Sequence, residues 1–228
     1  WVLLPWDVDF VFSSGGSSVT DGLFGGNDPV LDALRAFPEF QRAYWRAFED
    51  AINGPLSPAV LAARLDPRYT ALVAAGVNPD SPQGLKDYAA ERRTYLQSQL
   101  TNVAAPFAVN ATITVTNGVG VIRGTAPVKV AALLVNGAAW NVTWTSLSNW
   151  IAYVPIQTGS NFFGVTGQDL RGQSVTGASN GVALTYNLAL PSPVGTVVIN
   201  EIMFRPAQPD AEYVELFNAS TTSAFDLS

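Results

Sequence analysis

The chain contains no histidine and no cysteine, and its only lysines are Lys86 and Lys129, in 228 residues. These absences exclude disulfides, a zinc site of nitrogen and sulfur ligands, a cysteine nucleophile and any histidine-based triad. Carboxylates are the main chemistry left. The lack of thiols fits either redox compartment. With a net charge of −6 there is no electrostatic footprint for a nucleic-acid backbone, so nucleic acid is not an expected partner. Long apolar runs are missing too: stretches such as Val130 to Val135 end far short of the ~20 residues a bilayer demands, and no membrane span is expected. The sequence opens on Trp1 without a basic region ahead of an apolar stretch, which reads as a cropped start with no signal peptide in view.

What is present is apolar. Hydrophobic residues make up 48% of the chain and charged ones 13%, enough to build folded cores and too little charge for disorder. The length exceeds one domain of ~100–150 residues and predicts two domains plus a fragment.

The first stretch, WVLLPWDVDFV, reads as a strand ending near Asp7 and Asp9, followed by a flexible Gly/Ser run. Between Asp28 and Leu100 the pattern is helical. Capping residues precede prolines at Asp28-Pro29, Ser57-Pro58, Asp66-Pro67 and Ser81-Pro82, each predicting a helix start. Phe40, Tyr44, Ala47, Phe48 and Ile52 recur at helical spacing over 38–53, and Gly54-Pro55 closes that helix. A second apolar face joins Leu85, Tyr88, Ala89, Leu96 and Leu100, with Arg92 interrupting it. These faces call for a partner layer that the strand at Trp1 does not supply, so part of this domain is expected upstream.

After a linker near 101–106 the period changes to two. Strands are predicted over 109–116, 119–124, 128–135, 139–145, 149–156, 161–168 and 181–187, the pattern of a small antiparallel sandwich of the immunoglobulin kind. Beyond Pro191-Ser192-Pro193, VVINEIMF and AEYVELFN read as two more strands, too few to bury a core alone.

The segment LLPWDVDF, Leu3 to Phe10, resembles the PWDxD strand of CotH-like (spore coat protein H) atypical protein kinases. Pro38-Glu39-Phe40, the Gly54-to-Ser57 turn, Leu85-Lys86 and Glu91 to Leu96 follow in the order that family shows. The β region resembles the immunoglobulin-like modules that often follow such domains, through Val135-Asn136-Gly137, Trp140, Trp144, Trp150 and Val154-Pro155. Val198 to Phe204 and Glu212 to Asn218 resemble the first two strands of a lamin-tail domain.

The resemblance implies an α+β multidomain fragment. It would comprise the C-terminal part of a kinase-like domain over 1–102, a sandwich over 107–189 and a truncated lamin-tail segment over 195–228. It also implies Mg²⁺ and ATP as cofactors of the intact domain, Asp7 as the principal metal ligand and contact to the nucleotide site, Asp9 as a second ligand, and Trp6 as packing. The glycine-rich segment, the lysine with its glutamate partner, and the catalytic aspartate would lie upstream, so no catalytic residue is expected in this chain. A secreted or cell-surface bacterial setting follows, with a protein substrate or surface component as partner. The family's glycine soon after the second aspartate is not matched, because Phe10 to Ser13 intervene before Gly15.

From the residues alone, two aspartates at i and i+2 on a strand share a face and suit one hard cation, yet the same spacing also describes a solvated strand end. Arg92 and Arg93 read as a solvated pair rather than a phosphate contact. Trp140, Trp144, Trp150 and Tyr153 suit either a carbohydrate-stacking platform or inter-sheet core and strand-edge packing. Packing is the expectation, with at least one of Trp140 and Trp144 buried because they share strand parity, and with no oligosaccharide affinity. Glu201, Asp210, Glu212 and Glu215 read as edge-strand charges rather than a Ca²⁺ site. The sequons at Asn110, Asn141 and Asn218 matter only in a eukaryotic secretory pathway.

Overall fold

The computed structural model describes residues 16–24, 29–110, 113–116, 118–223 and 225. It is an α+β chain of two compact units, 1–105 and 106–228.

Among the described residues, the first unit has four helices: α1 (Pro29–Arg35), α2 (Pro38–Asn53), α3 (Pro58–Ala74) and α4 (Gln83–Asn102). Pro29, Pro38 and Pro58 each open a helix, where a missing N–H costs nothing and a fixed φ helps. Pro67 departs from the expected pattern, since it lies inside α3 and the helix runs through it. Asp66 does not start a helix; its carboxylate reaches across to Lys86 on α4 at 2.9 Å. The buried face of α2 also differs from the one the spacing predicts. Ile52 is buried as the spacing predicts, but Arg42 and Trp45 are withdrawn from solvent with it, whereas Phe40 is 54% exposed and Ala47 is exposed. The aromatic stripe is turned by about one position, because Trp45 and Ile52 lie on the side that α2 presents to the rest of the unit. On α4, Ala89 and Leu96 are buried and Leu85 is exposed.

The second unit contains two antiparallel sheets around one core. In the first, β1 (Ala108–Val109) and β2 (Thr114–Thr116) both flank β3 (Val119–Thr125), which pairs with β7 (Asn149–Pro155), and β7 with β6 (Val142–Trp144). In the second, the order is β5 (Ala138–Trp140), β4 (Ala132–Val135), β8 (Gly159–Gln168), β9 (Ser174–Tyr186). Alternate residues of both sheets meet inside, among them Ile122, Leu133, Trp150, Val154 and Val165.

Four predicted strands are reshaped. The run 109–116 is split into β1 and β2 along the same edge of β3. The run 139–145 breaks at Asn141, because β5 belongs to one sheet and β6 to the other, so the chain crosses the sandwich there. The run 128–135 begins at Ala132, since a turn in which the Val130 N–H donates to the Pro127 carbonyl (3.1 Å) precedes it. Finally, β9 is 13 residues long and starts at Ser174, well before the expected 181. Gly124 has no room for a side chain: a Cβ there would lie 2.2 Å from the Ala108 carbonyl and 2.5 Å from the Trp150 ring.

Last comes a two-stranded hairpin, β10 (Val197–Met203) with β11 (Tyr213–Asn218), pairing the two phrases noted in the sequence. Val198, Ile199, Ile202, Val214, Leu216 and Phe217 are all exposed on it.

Candidate functional site

Asp7 and Asp9, the metal and nucleotide residues implied by the resemblance, lie outside the described residues. Their chemistry fits Mg²⁺, a hard cation that takes carboxylate oxygen, in a chain with no histidine or cysteine to favour a softer metal. Among the described residues, no three carboxylates, histidines or cysteines come together to form an alternative centre.

The segment that follows the two aspartates is described from Gly16, and it is tied to the helices at four points. Arg92 donates through Nη1 to the carbonyls of Val19 (2.8 Å) and Asp21 (2.7 Å). The Tyr88 hydroxyl donates to the Ser18 carbonyl at 3.4 Å, and the Tyr44 hydroxyl to the Leu23 carbonyl at 2.6 Å. Leu23 is buried, and the Phe24 ring rests against Tyr44 and Trp45 with centroids 5.3 and 5.6 Å away. Arg92 also stacks over Tyr95, 5.1 Å from its centroid.

The arginine pair is therefore neither a solvated face nor a phosphate clamp. Arg93 donates through Nε to the Ile52 carbonyl at 2.9 Å, satisfying an orphan acceptor in the last turn of α2. Sequence reasoning missed this anchoring role. Its one signal was Arg92 standing in the middle of an apolar face, where a cation must find acceptors. Arg42 is the deeper charge of the unit. Burial first, and the neighbouring Arg46 second, push its guanidinium down to about 9, so it remains charged at neutral pH.

No family model, curated protein or solved structure matches the chain.

In the second unit, the four aromatics do not stay together. Trp144 and Trp150 are buried in the core. Trp140 pairs with Leu133 on the inner side of its sheet, and its indole N–H crosses to the Tyr153 carbonyl on the opposite sheet at 2.8 Å. Tyr153 points outward and is 60% exposed. Two concavities share Trp140 and Tyr153 as walls.

On the hairpin, Glu201 and Glu215 stand directly opposite each other, a like-charge pair that neutral donors relieve. The Tyr213 hydroxyl donates to Glu201 at 2.7 Å and the Asn200 amide to Glu215. The bond to Glu201 raises the Tyr213 phenol above its ordinary value. Asp210 sits in a left-handed turn with φ 61°. No described residues join these carboxylates into a cation site.

Proposed function

We propose that this chain is part of a secreted or surface-associated CotH-like protein whose complete kinase-like domain transfers the γ-phosphoryl group of ATP to protein serine or threonine. In this reading, residues 1–102 are the end of that domain, with α1 to α4 as its helical support. Residues 107–189 are an immunoglobulin-like spacer and 195–228 open a lamin-tail module.

One observation supports it above the others. Eight to thirteen residues after the LLPWDVDF motif in sequence, Ser18 to Leu23 are pinned, carbonyl by carbonyl, to α2 and α4, the two helices whose sequences carry the rest of the resemblance. A strand tip bearing metal ligands needs such anchoring, because phosphoryl transfer depends on fixed position and charge more than on covalent chemistry. Mg²⁺ held by Asp7, with Asp9 beside it, would neutralise charge on the triphosphate. The chain's own residues supply the rest of the support: Arg92 and Tyr88 hold the loop that follows the aspartates in sequence, and Arg93 closes the end of α2. VVINEIM and YVELFN, the phrases that carry the lamin-tail resemblance, both form strands, and these pair antiparallel.

The test is autophosphorylation of the intact protein with Mg²⁺ and labelled ATP. Labelling is expected, and Asp7→Ala abolishes it; undiminished labelling by the variant removes Asp7 from its role.

A non-catalytic structural or adhesion protein is the second reading, favoured by the exposed apolar surface of the β10–β11 hairpin, which suits contact with another surface. The two readings separate upstream: a kinase carries a lysine, its glutamate partner and a catalytic aspartate before Asp7.

A further inference from the structure

Burial separates the four aromatics of the second unit: two are core, Trp140 is partly buried against it and Tyr153 is exposed, and the last two have a use of their own. Trp144 and Trp150 belong to the core, so the platform shrinks to Trp140 and Tyr153. The core that they flank is closed by both sheets, so the exposure of Tyr153 is not that of a side chain awaiting a core. One of the two concavities, of about 510 Å³, is walled by Trp140, Tyr153, Asn141 and Thr143, with Ala139 and Val142 between them. The other, of about 470 Å³, takes in the chain's own Pro191 and Pro193. Among the described residues lining either, none is charged at neutral pH.

We propose that the Trp140–Tyr153 concavity is a binding site for a neutral saccharide. The Tyr153 ring offers a flat apolar face to the C–H side of a sugar, with the partly buried Trp140 as the second wall. Asn141 contributes an amide and Thr143 a hydroxyl, groups that both donate and accept and so match sugar hydroxyls in either sense. An uncharged lining leaves a phosphate, an acidic peptide or a sulfated glycan without an ion partner. A proline-rich peptide also favours aromatic grooves. Here the proline-lined concavity is the neighbouring one, and the amide and hydroxyl of this one find no counterpart on a proline ring. The inference replaces the sequence-based expectation of no oligosaccharide affinity, which rested on reading the four aromatics as inter-sheet core and strand-edge packing. It is independent of phosphoryl transfer upstream.

The full chain is titrated with cellohexaose, chitohexaose and mannohexaose, with decaproline and a heparin hexasaccharide as contrasts, followed by intrinsic fluorescence and calorimetry. Saturable binding of at least one neutral hexasaccharide is expected. Tyr153→Ala weakens it by about tenfold or more, Asn141→Ala weakens it several-fold, and Phe162→Ala on the other sheet leaves it unchanged. Both site residues are exposed, so melting temperatures should stay near that of the parent and report folding independently. Three results each overturn the proposal: no binding of any neutral hexasaccharide, binding confined to decaproline or heparin, or affinity indifferent to both site variants.

Discussion

Asn136 does the work of a strand residue with its side chain. It turns the β4–β5 hairpin in the left-handed region at φ 51°, with Gly137 following at 85°. Its amide then reaches β8, where Oδ1 accepts from the Gly164 N–H at 2.8 Å and Nδ2 donates to the Phe162 carbonyl at 3.2 Å. Asn136→Ala loses both bonds and strains the turn, which should cost about 2–3 kcal/mol in urea unfolding. Asn136→Gly keeps the turn and should lose about half of that. Equal stability of all three proteins would contradict this role. The Asn-Gly pair was legible as a turn from the sequence. Its bonds to residues 26 and 28 positions away were not, because they depend on the register of β8. Arg92 is a similar case, since its oddity is visible in the periodicity but its acceptors lie more than 70 positions earlier.

At the level of strands and helices, the crossing at Asn141 is the feature that alternation conceals. The period of two continues from Trp140 to Trp144, yet β5 and β6 belong to opposite sheets, and Trp140 clasps those sheets through its bond to the Tyr153 carbonyl. Trp140→Phe keeps most of the ring and removes the bond, so a loss of about 1 kcal/mol in sandwich stability is expected from denaturant unfolding, and no loss would refute the clasp. The β8–β9 turn is built around Asp169, whose Oδ1 accepts from the backbone of Gln173 and Arg171, both at 2.9 Å. The Gln173 bond is the main cause that lowers this carboxyl below its ordinary 3.8, with Arg171 and Lys129 assisting. A depressed folded value means that the contribution to stability is complete above the ordinary value and lost as pH falls through the folded one. Carbon-13 titration of the Asp169 carboxyl should therefore give a midpoint below 3.8, and a midpoint at or above that value would exclude the turn bonds as its cause. The helices were the more legible elements, since prolines at first positions mark three of their starts. The partial failure on α2 has a physical origin: Phe40, Tyr44 and Ala47 form a convincing apolar stripe with Ile52, but Arg42 and Trp45 are the residues buried beside Ile52.

Across the whole molecule, the change from helical to alternating pattern near residue 105 coincides with the division into two compact units. The two phrases near the end of the chain form the two strands that their sequence suggests, and these pair with each other as a hairpin exposed over both strands. Less of the candidate site was legible. Composition reduced the chemistry to carboxylates, the resemblance selected Asp7 and Asp9, and the loop anchors appeared only with the fold. The account's central claim concerns those two carboxylates, and the structure of the intact protein with Mg²⁺ and a non-hydrolysable ATP analogue tests it most directly. An Asp7 oxygen about 2.1 Å from the metal, with Asp9 on the same side of the strand, is the predicted result. Carboxylates turned away from the nucleotide, with the metal held by other groups, would contradict it.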